Sequence, residues 1–227
     1  MRLFARLLFI VLVTASTSLA VPTPPELASA LKTFRADGTR GWGFTQTTVA
    51  AERGRVERYD PLGKNFITWT LVKQDGRAPT ADEVQKYTEL KARRSSNETA
   101  PNVKDQIVPG SCEIVSETPE KGVYRFNLKP GDDDDHSAQF MKVTFTLNRP
   151  TATIEQVELA STGPFSPVFM VKIVEARTVM IYSIPSGETP TFLKEVTVRI
   201  RGTAMWFRSL DQDMTVTYSD YVYAGKK

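Results

Sequence analysis

From Cys112 to Tyr223 the chain reads as one strand after another with short links between them, and that run decides what it can fold into. A parallel neighbour needs a crossover of a dozen or more residues, so short links imply antiparallel pairing. Cys112–Glu117 and Val123–Lys129 are joined by a turn at Pro119–Gly122. Tyr124, Phe126 and Leu128 alternate with Arg125, Asn127 and Lys129, the pattern of a sheet with one wet face. Phe140–Leu147 puts Met141, Val143, Phe145 and Leu147 on one side, and Thr153–Leu159 follows. Gly163–Pro167 breaks the pattern before Val168–Ile184, a β-branched run that reads as one bent strand or two. Phe192–Arg201 sets Phe192, Val196, Val198 and Ile200 opposite Arg199 and Arg201. Ala204–Leu210 and Met214–Tyr223 read as a terminal hairpin across Asp211–Asp213.

Upstream, Leu27, Leu31 and Phe34 recur at helical spacing after Thr23 and Glu26, which have capping-box spacing. The spacing predicts a helix over about residues 24–35, stopped at Asp37-Gly38. Trp42, Phe44, Gln46 and Thr48 then share one face of a strand over about residues 41–50. Glu52–Arg58 is polar and carries Arg53, Arg55 and Arg58; it reads as a return strand, with a solvated edge strand as the plain interpretation. Phe66–Lys73 is a strong strand with Ile67, Trp69 and Leu71 on one face and Phe66, Thr68, Thr70 and Val72 on the other, so both faces are expected to be covered. Thr80–Glu83 is a second capping box, and Val84, Tyr87 and Leu90 form the apolar stripe of a helix over about residues 80–93. Residues 94–110 read as a long polar loop. The sum is a mainly β chain with two helices and about ten to eleven strands, with no repeat and no interior linker.

The first twenty residues read as a secretory signal peptide. Arg2 and Arg6 form a basic start, Leu7–Val13 an apolar core, and Ser18-Leu19-Ala20 a cleavage site after Ala20. The core is too short for a bilayer span of ~20 apolar residues. Residues 21–227 are then a single mature domain, expected to cross a membrane. Removing Arg2 and Arg6 lowers the net charge from +3 to +1, too little to argue for nucleic acid. One cysteine, Cys112, rules out an internal disulfide and reads as a buried thiol.

Candidate chemistry is sparse. Asp132–Asp135 and His136 form a hydrophilic tip, but a calcium site needs six to eight oxygens converging on one point. His136 is the single histidine, so a zinc site or a Ser-His-Asp mechanism has little to draw on. No Gly-rich phosphate loop occurs, no pair of acids marks a hydrolase, and no cofactor or metal is expected. The chain is expected not to be an enzyme. What it offers is an aromatic-rich sheet, and a strongly curved antiparallel sheet can wrap an apolar concavity.

Arg58-Tyr59-Asp60-Pro61, Trp69-Thr70-Leu71, Asp75–Thr80 and the terminal Tyr218-Ser219-Asp220-Tyr221 resemble the LolA/LolB-like lipoprotein-sorting proteins of the bacterial envelope. The order of signal peptide, helix, three strands, helix and long antiparallel run is similar too. The resemblance implies a half-barrel, one curved antiparallel sheet whose concave side is covered by helices. It also implies a periplasmic carrier or chaperone for lipoprotein acyl chains or lipid, loaded and unloaded by membrane-bound partners; a monomer is expected. An envelope sensor or scaffold that binds a protein segment is the alternative, and a hydrolase a weaker one. The expected lining is Trp42, Phe44, Phe66 and Trp69, with Phe140, Phe145 and Trp206 behind them, and Arg55 and Arg58 are candidates for an acidic head group.

Overall fold

A computed structural model describes residues 22–36, 41–51, 53–63, 68–94, 103–131 and 137–225. The expected signal peptide, Phe66 and the Asp132–His136 tip lie outside those residues. The described chain is mainly β with two helices. Its elements are α1 (Pro25–Thr33), β1 (Trp42–Ala50), β2 (Arg53–Tyr59), β3 (Trp69–Gln74), α2 (Ala81–Arg94), β4 (Glu113–Glu117), β5 (Lys121–Asn127), β6 (Met141–Asn148), β7 (Thr153–Ser161), β8 (Val171–Tyr182), β9 (Leu193–Ala204), β10 (Arg208–Ser209) and β11 (Gln212–Tyr223).

All strands join one open antiparallel sheet of order β3-β2-β1-β11-β9-β8-β7-β6-β5-β4, with β10 folded onto β9. A sheet of this many strands has to curl, and bulges between Thr146 and Leu147, Ile173 and Glu175, and Gly43 and Thr45 bend it. The edges, β3 and β4, do not pair with each other.

Register fixes which side chains share a face, because residues directly opposite on neighbouring strands point the same way. Phe145 lies opposite Val157, Val157 opposite Met180, and Met180 opposite Val196. Val196 then faces Val216, Val216 faces Thr48, Thr48 faces Arg55, and on the next row Gln46 faces Glu57 and Glu57 faces Leu71. One inner face therefore runs the full width of the sheet, and both helices lie on it.

At one end α1 buries Leu27, Ala30, Leu31 and Phe34 among Tyr124, Phe126, Val143, Phe145, Leu147, Ile154 and Val157. Phe34 meets Tyr182 and Phe145 edge-on, with ring centroids 5.1 and 6.4 Å apart. Cys112 is buried here, as expected, and burial raises its thiol pKa. At the other end α2 sits beside β3. Its capping box forms: the Thr80 backbone N–H donates to Glu83 Oε2 at 2.7 Å, and the Glu83 N–H to Thr80 Oγ1 at 3.3 Å. Arg77, the nearest cation, together with the Thr80 bonds, holds the Glu83 carboxyl at about 2.

Several expectations are corrected. The Thr23–Glu26 box does not form. Proline at the cap and first position starts α1 without a side-chain bond, and Glu26 pairs with Arg149 at 3.3 Å instead. β2 is not an edge, because β3 pairs beyond it. The outer face of β3 is wet, with Thr70 and Val72 exposed. On α2 only Tyr87 of the expected stripe is buried; Val84 and Leu90 are exposed. Of Val168–Ile184, only Val171–Tyr182 is strand, the single bulged β8, and Val168–Met170 is a turn. The terminal hairpin is replaced by a longer-range arrangement: Arg208–Ser209 folds back on β9, while β11 pairs β9 on one side and β1 on the other. Part of the expected 94–110 loop is ordered, with a 3-10 turn at Val103–Gln106 and a bridge from Ile107 to Leu128.

Candidate functional site

Between the two helices, the inner face of β1, β11, β9 and β8 forms a strip covered by neither helix among the described residues. It is made of Ala50, Met214, Val198 and Ile200, with Val216 sealed at its floor and Thr48 and Thr178 adding two hydroxyls. All but Val216 are only partly buried. Four strands about 4.8 Å apart make this strip roughly 14 Å across.

One end of the strip is walled by aromatic rings. Phe44 meets Tyr59 at 5.0 Å and Trp69, Tyr218 and Tyr221 at 5.6 Å each. Tyr218 and Tyr221 would point to opposite faces of a regular strand. The irregularity opposite Gly43 and Thr45 includes Asp220, whose φ is 52°, and brings both rings to Phe44. Tyr221 stacks on Phe192 at 4.0 Å, and Phe192 meets Trp42 at 4.9 Å. Burial raises the pKa of both Tyr218 and Tyr221, so both rings stay neutral.

Beside this wall lies a fully buried carboxylate. Glu57 accepts from Tyr87 Oη at 2.9 Å and Gln46 Nε2 at 3.1 Å, and pairs with Lys91 Nζ at 2.9 Å and Arg55 Nε at 3.1 Å. Lys91 Nζ also stands 3.9 Å from the Trp69 ring centre. Burial, then the bond to Glu57, raises the Tyr87 pKa far above the usual phenol range. Tyr87 and Lys91 are four apart on α2 and so reach the sheet together. The sequence signal was the i, i+2 row Arg53, Arg55, Glu57, Tyr59, which places an acid beside an arginine on the inner face.

The predicted lining residues divide. Trp42, Phe44 and Trp69 belong to the aromatic wall. Phe145 is sealed under α1 rather than lining an opening, since Phe34 and Phe126 pack on it. Phe140 stacks on Phe165 at 5.3 Å, in the turn before β6. Trp206 joins none of them; it stands exposed at the turn after β9. Arg55 faces the strip beside Thr48, and its Nη1 and Nη2 make no hydrogen bond among the described residues. Arg58 lies on the opposite, outer face, donating to Thr45 Oγ1 at 3.0 Å and the Asp220 carbonyl at 3.1 Å. Residues three apart in a strand point to opposite faces, which separates the two arginines.

A separate cavity of about 340 Å³ opens near the turn before β6, lined by Leu128, Pro130, Ala138 and Met141 together with Asp105 and Lys129. Among the described residues no group of three or more His, Cys, Asp or Glu side chains could hold a metal ion. No helix among them is long and apolar enough to cross a membrane.

No protein-family model matches the chain, and no curated protein matches it. Among solved structures it is similar to GphF Dehydratase 1 at 13% identity, covering 88% of this chain and 82% of that one with a TM-score of 0.20. A variant of GphF Dehydratase aligns at 12% identity over 86% and 81% of the two chains, with a TM-score of 0.17. TM-scores of this size do not mark a shared fold, and dehydratase chemistry is not carried over.

Proposed function

We propose that this chain is a non-enzymatic periplasmic carrier or chaperone that holds lipoprotein acyl chains or lipid against the inner face of its sheet. The observation that carries the reading is the half-open apolar strip between α1 and α2. Arg55, at the edge of that strip, is placed to meet an acidic head group while the tail lies across β11 and β9. Arg58 faces away and is left out of the site. The likeness of the Arg58–Pro61, Trp69–Leu71, Asp75–Thr80 and Tyr218–Tyr221 stretches to LolA/LolB-like sorting proteins supports the same reading. A sensor or scaffold that adds a protein segment to the sheet is favoured by one feature, the unpaired edge β4 with Ile114 and Val115 exposed.

A series of saturated fatty acids separates the two. Each buried methylene contributes ~0.8 kcal/mol, so affinity is expected to rise about fourfold per added CH₂ until the strip is filled. Titration calorimetry reads this directly. Affinity independent of chain length would leave the carrier reading without support.

A further inference from the structure

We propose that the loop tips Val168–Met170 and Met205–Phe207 form one membrane-docking wedge that sets the open end of the strip against a bilayer bearing anionic head groups. The inference rests on the carrier reading for its purpose, but not for its observations. Phe169, Trp206 and Phe207 are 85%, 79% and 82% exposed, and Val168, Met170 and Met205 are exposed beside them. A cluster of bulky apolar side chains this open marks an interaction surface rather than a core.

The two tips act as one body. Val171 pairs with Ala204 at the end of β8 and β9, and the Met205 N–H donates to the Met170 carbonyl at 2.8 Å. The Val171 N–H closes the first tip on the Val168 carbonyl at 3.2 Å, and β10 folds the second back through Arg208 and Ala204. Met170, Met205 and Trp206 hold φ values of 64°, 50° and 66°. That left-handed region is costly for residues with a Cβ, and a fold that keeps three such residues in order to expose apolar side chains points to use at the tip. The base of the wedge is fixed. Phe165 is bonded to Ile173 in both directions at 2.8 and 2.9 Å, and it stacks on Phe140.

Charge selects the occupant. Lys172 and Arg208 flank the tips, are exposed, and make no ion pair among the described residues. Aromatic rings inserted at the head-group level with cations beside them match an anionic bilayer surface. Continuity gives the wedge its purpose. The inner-face row Val198, Ile200, Gly202, Ala204 on β9 runs from the strip directly into the tip.

Flotation of the mature chain with phosphatidylcholine vesicles, alone or mixed with phosphatidylglycerol, tests the wedge. The protein is expected to float with the mixed vesicles. Phe169→Ser, Trp206→Ser and Phe207→Ser together are expected to lower partitioning about a hundredfold, since three apolar rings are withdrawn from the interface. Because these side chains are exposed, thermal melting should stay unchanged. Lys172→Ala with Arg208→Ala is expected to abolish the preference for anionic vesicles. Equal flotation of the serine variant overturns the proposal, as does a dimer that dissociates in that variant without flotation of either form. Fatty-acid affinity is read separately. A chain that floats but binds no fatty acid keeps the wedge and loses the carrier reading; one that binds fatty acid but does not float does the reverse.

Discussion

Replacing Glu57 by alanine is expected to destabilise the protein by about 3–5 kcal/mol and to release α2 from the sheet. The carboxylate is the common acceptor for Tyr87, Gln46, Lys91 and Arg55. Without it a buried phenol, an ammonium and a guanidinium lose their shared partner. Lys91 and Arg55 keep 30% and 40% of their side chains exposed and recover some hydration, which places the loss at the lower end of the range. Glu57→Gln should cost less, because its carbonyl still accepts from Tyr87 while the charge is lost. Removing Lys91 as well, in Glu57→Leu with Lys91→Leu, should recover only part of the stability, since the unpaired ammonium is gone but Tyr87, Gln46 and Arg55 still lose their acceptor. Urea unfolding gives the stabilities. Hydrogen exchange over Tyr87–Lys91 shows whether the helix has come away. Because Tyr87 is the one buried side chain of the stripe expected on α2, the helix should lose protection before the core under α1 does.

Val198→Glu is expected to weaken binding of an apolar ligand by about tenfold to a hundredfold, because an acyl chain has no partner for a carboxylate set in its path. Val198 sits at the centre of the strip, between Thr178 on β8 and Met214 on β11. It is only partly buried, so the free protein can hydrate the new charge and should stay folded. Thr197→Glu is the matched control, one residue away on the outer face. Its affinity should equal that of the unaltered chain. A fluorescent fatty acid displaced by unlabelled ligand measures both. Similar weakening in the two variants would mean that the ligand does not lie on the inner face.

The sheet was legible because its signal is local. Alternation at Tyr124, Phe126 and Leu128, or at Val196, Val198 and Ile200, is set by the period of a strand, and short links force antiparallel neighbours. What stayed hidden was pairing across the chain. Nothing near Met214–Tyr223 says that it lies between β9 and β1, or that β2 is covered by β3. Such contacts follow from how the curved sheet closes its apolar face. Trp206 was misplaced for a related reason: its composition suits a lining, but it falls in the turn after β9 and not in the strand. Glu57 looked like part of a wet edge because its partners, Tyr87 and Lys91, come from a helix thirty residues away. The rows carrying Arg55 and Arg58 differ by three positions, and that spacing alone assigns one arginine to each face.

An acyl chain held on the half-open inner face should stay with the protein through purification. Organic extraction of the protein purified from the cells that make it, followed by mass spectrometry, reads this out. Lipid or acyl chains are expected in near-equal amount to protein, and are expected to be lost from Val198→Glu but not from Thr197→Glu. Protein that carries no lipid and takes up no apolar probe would contradict it.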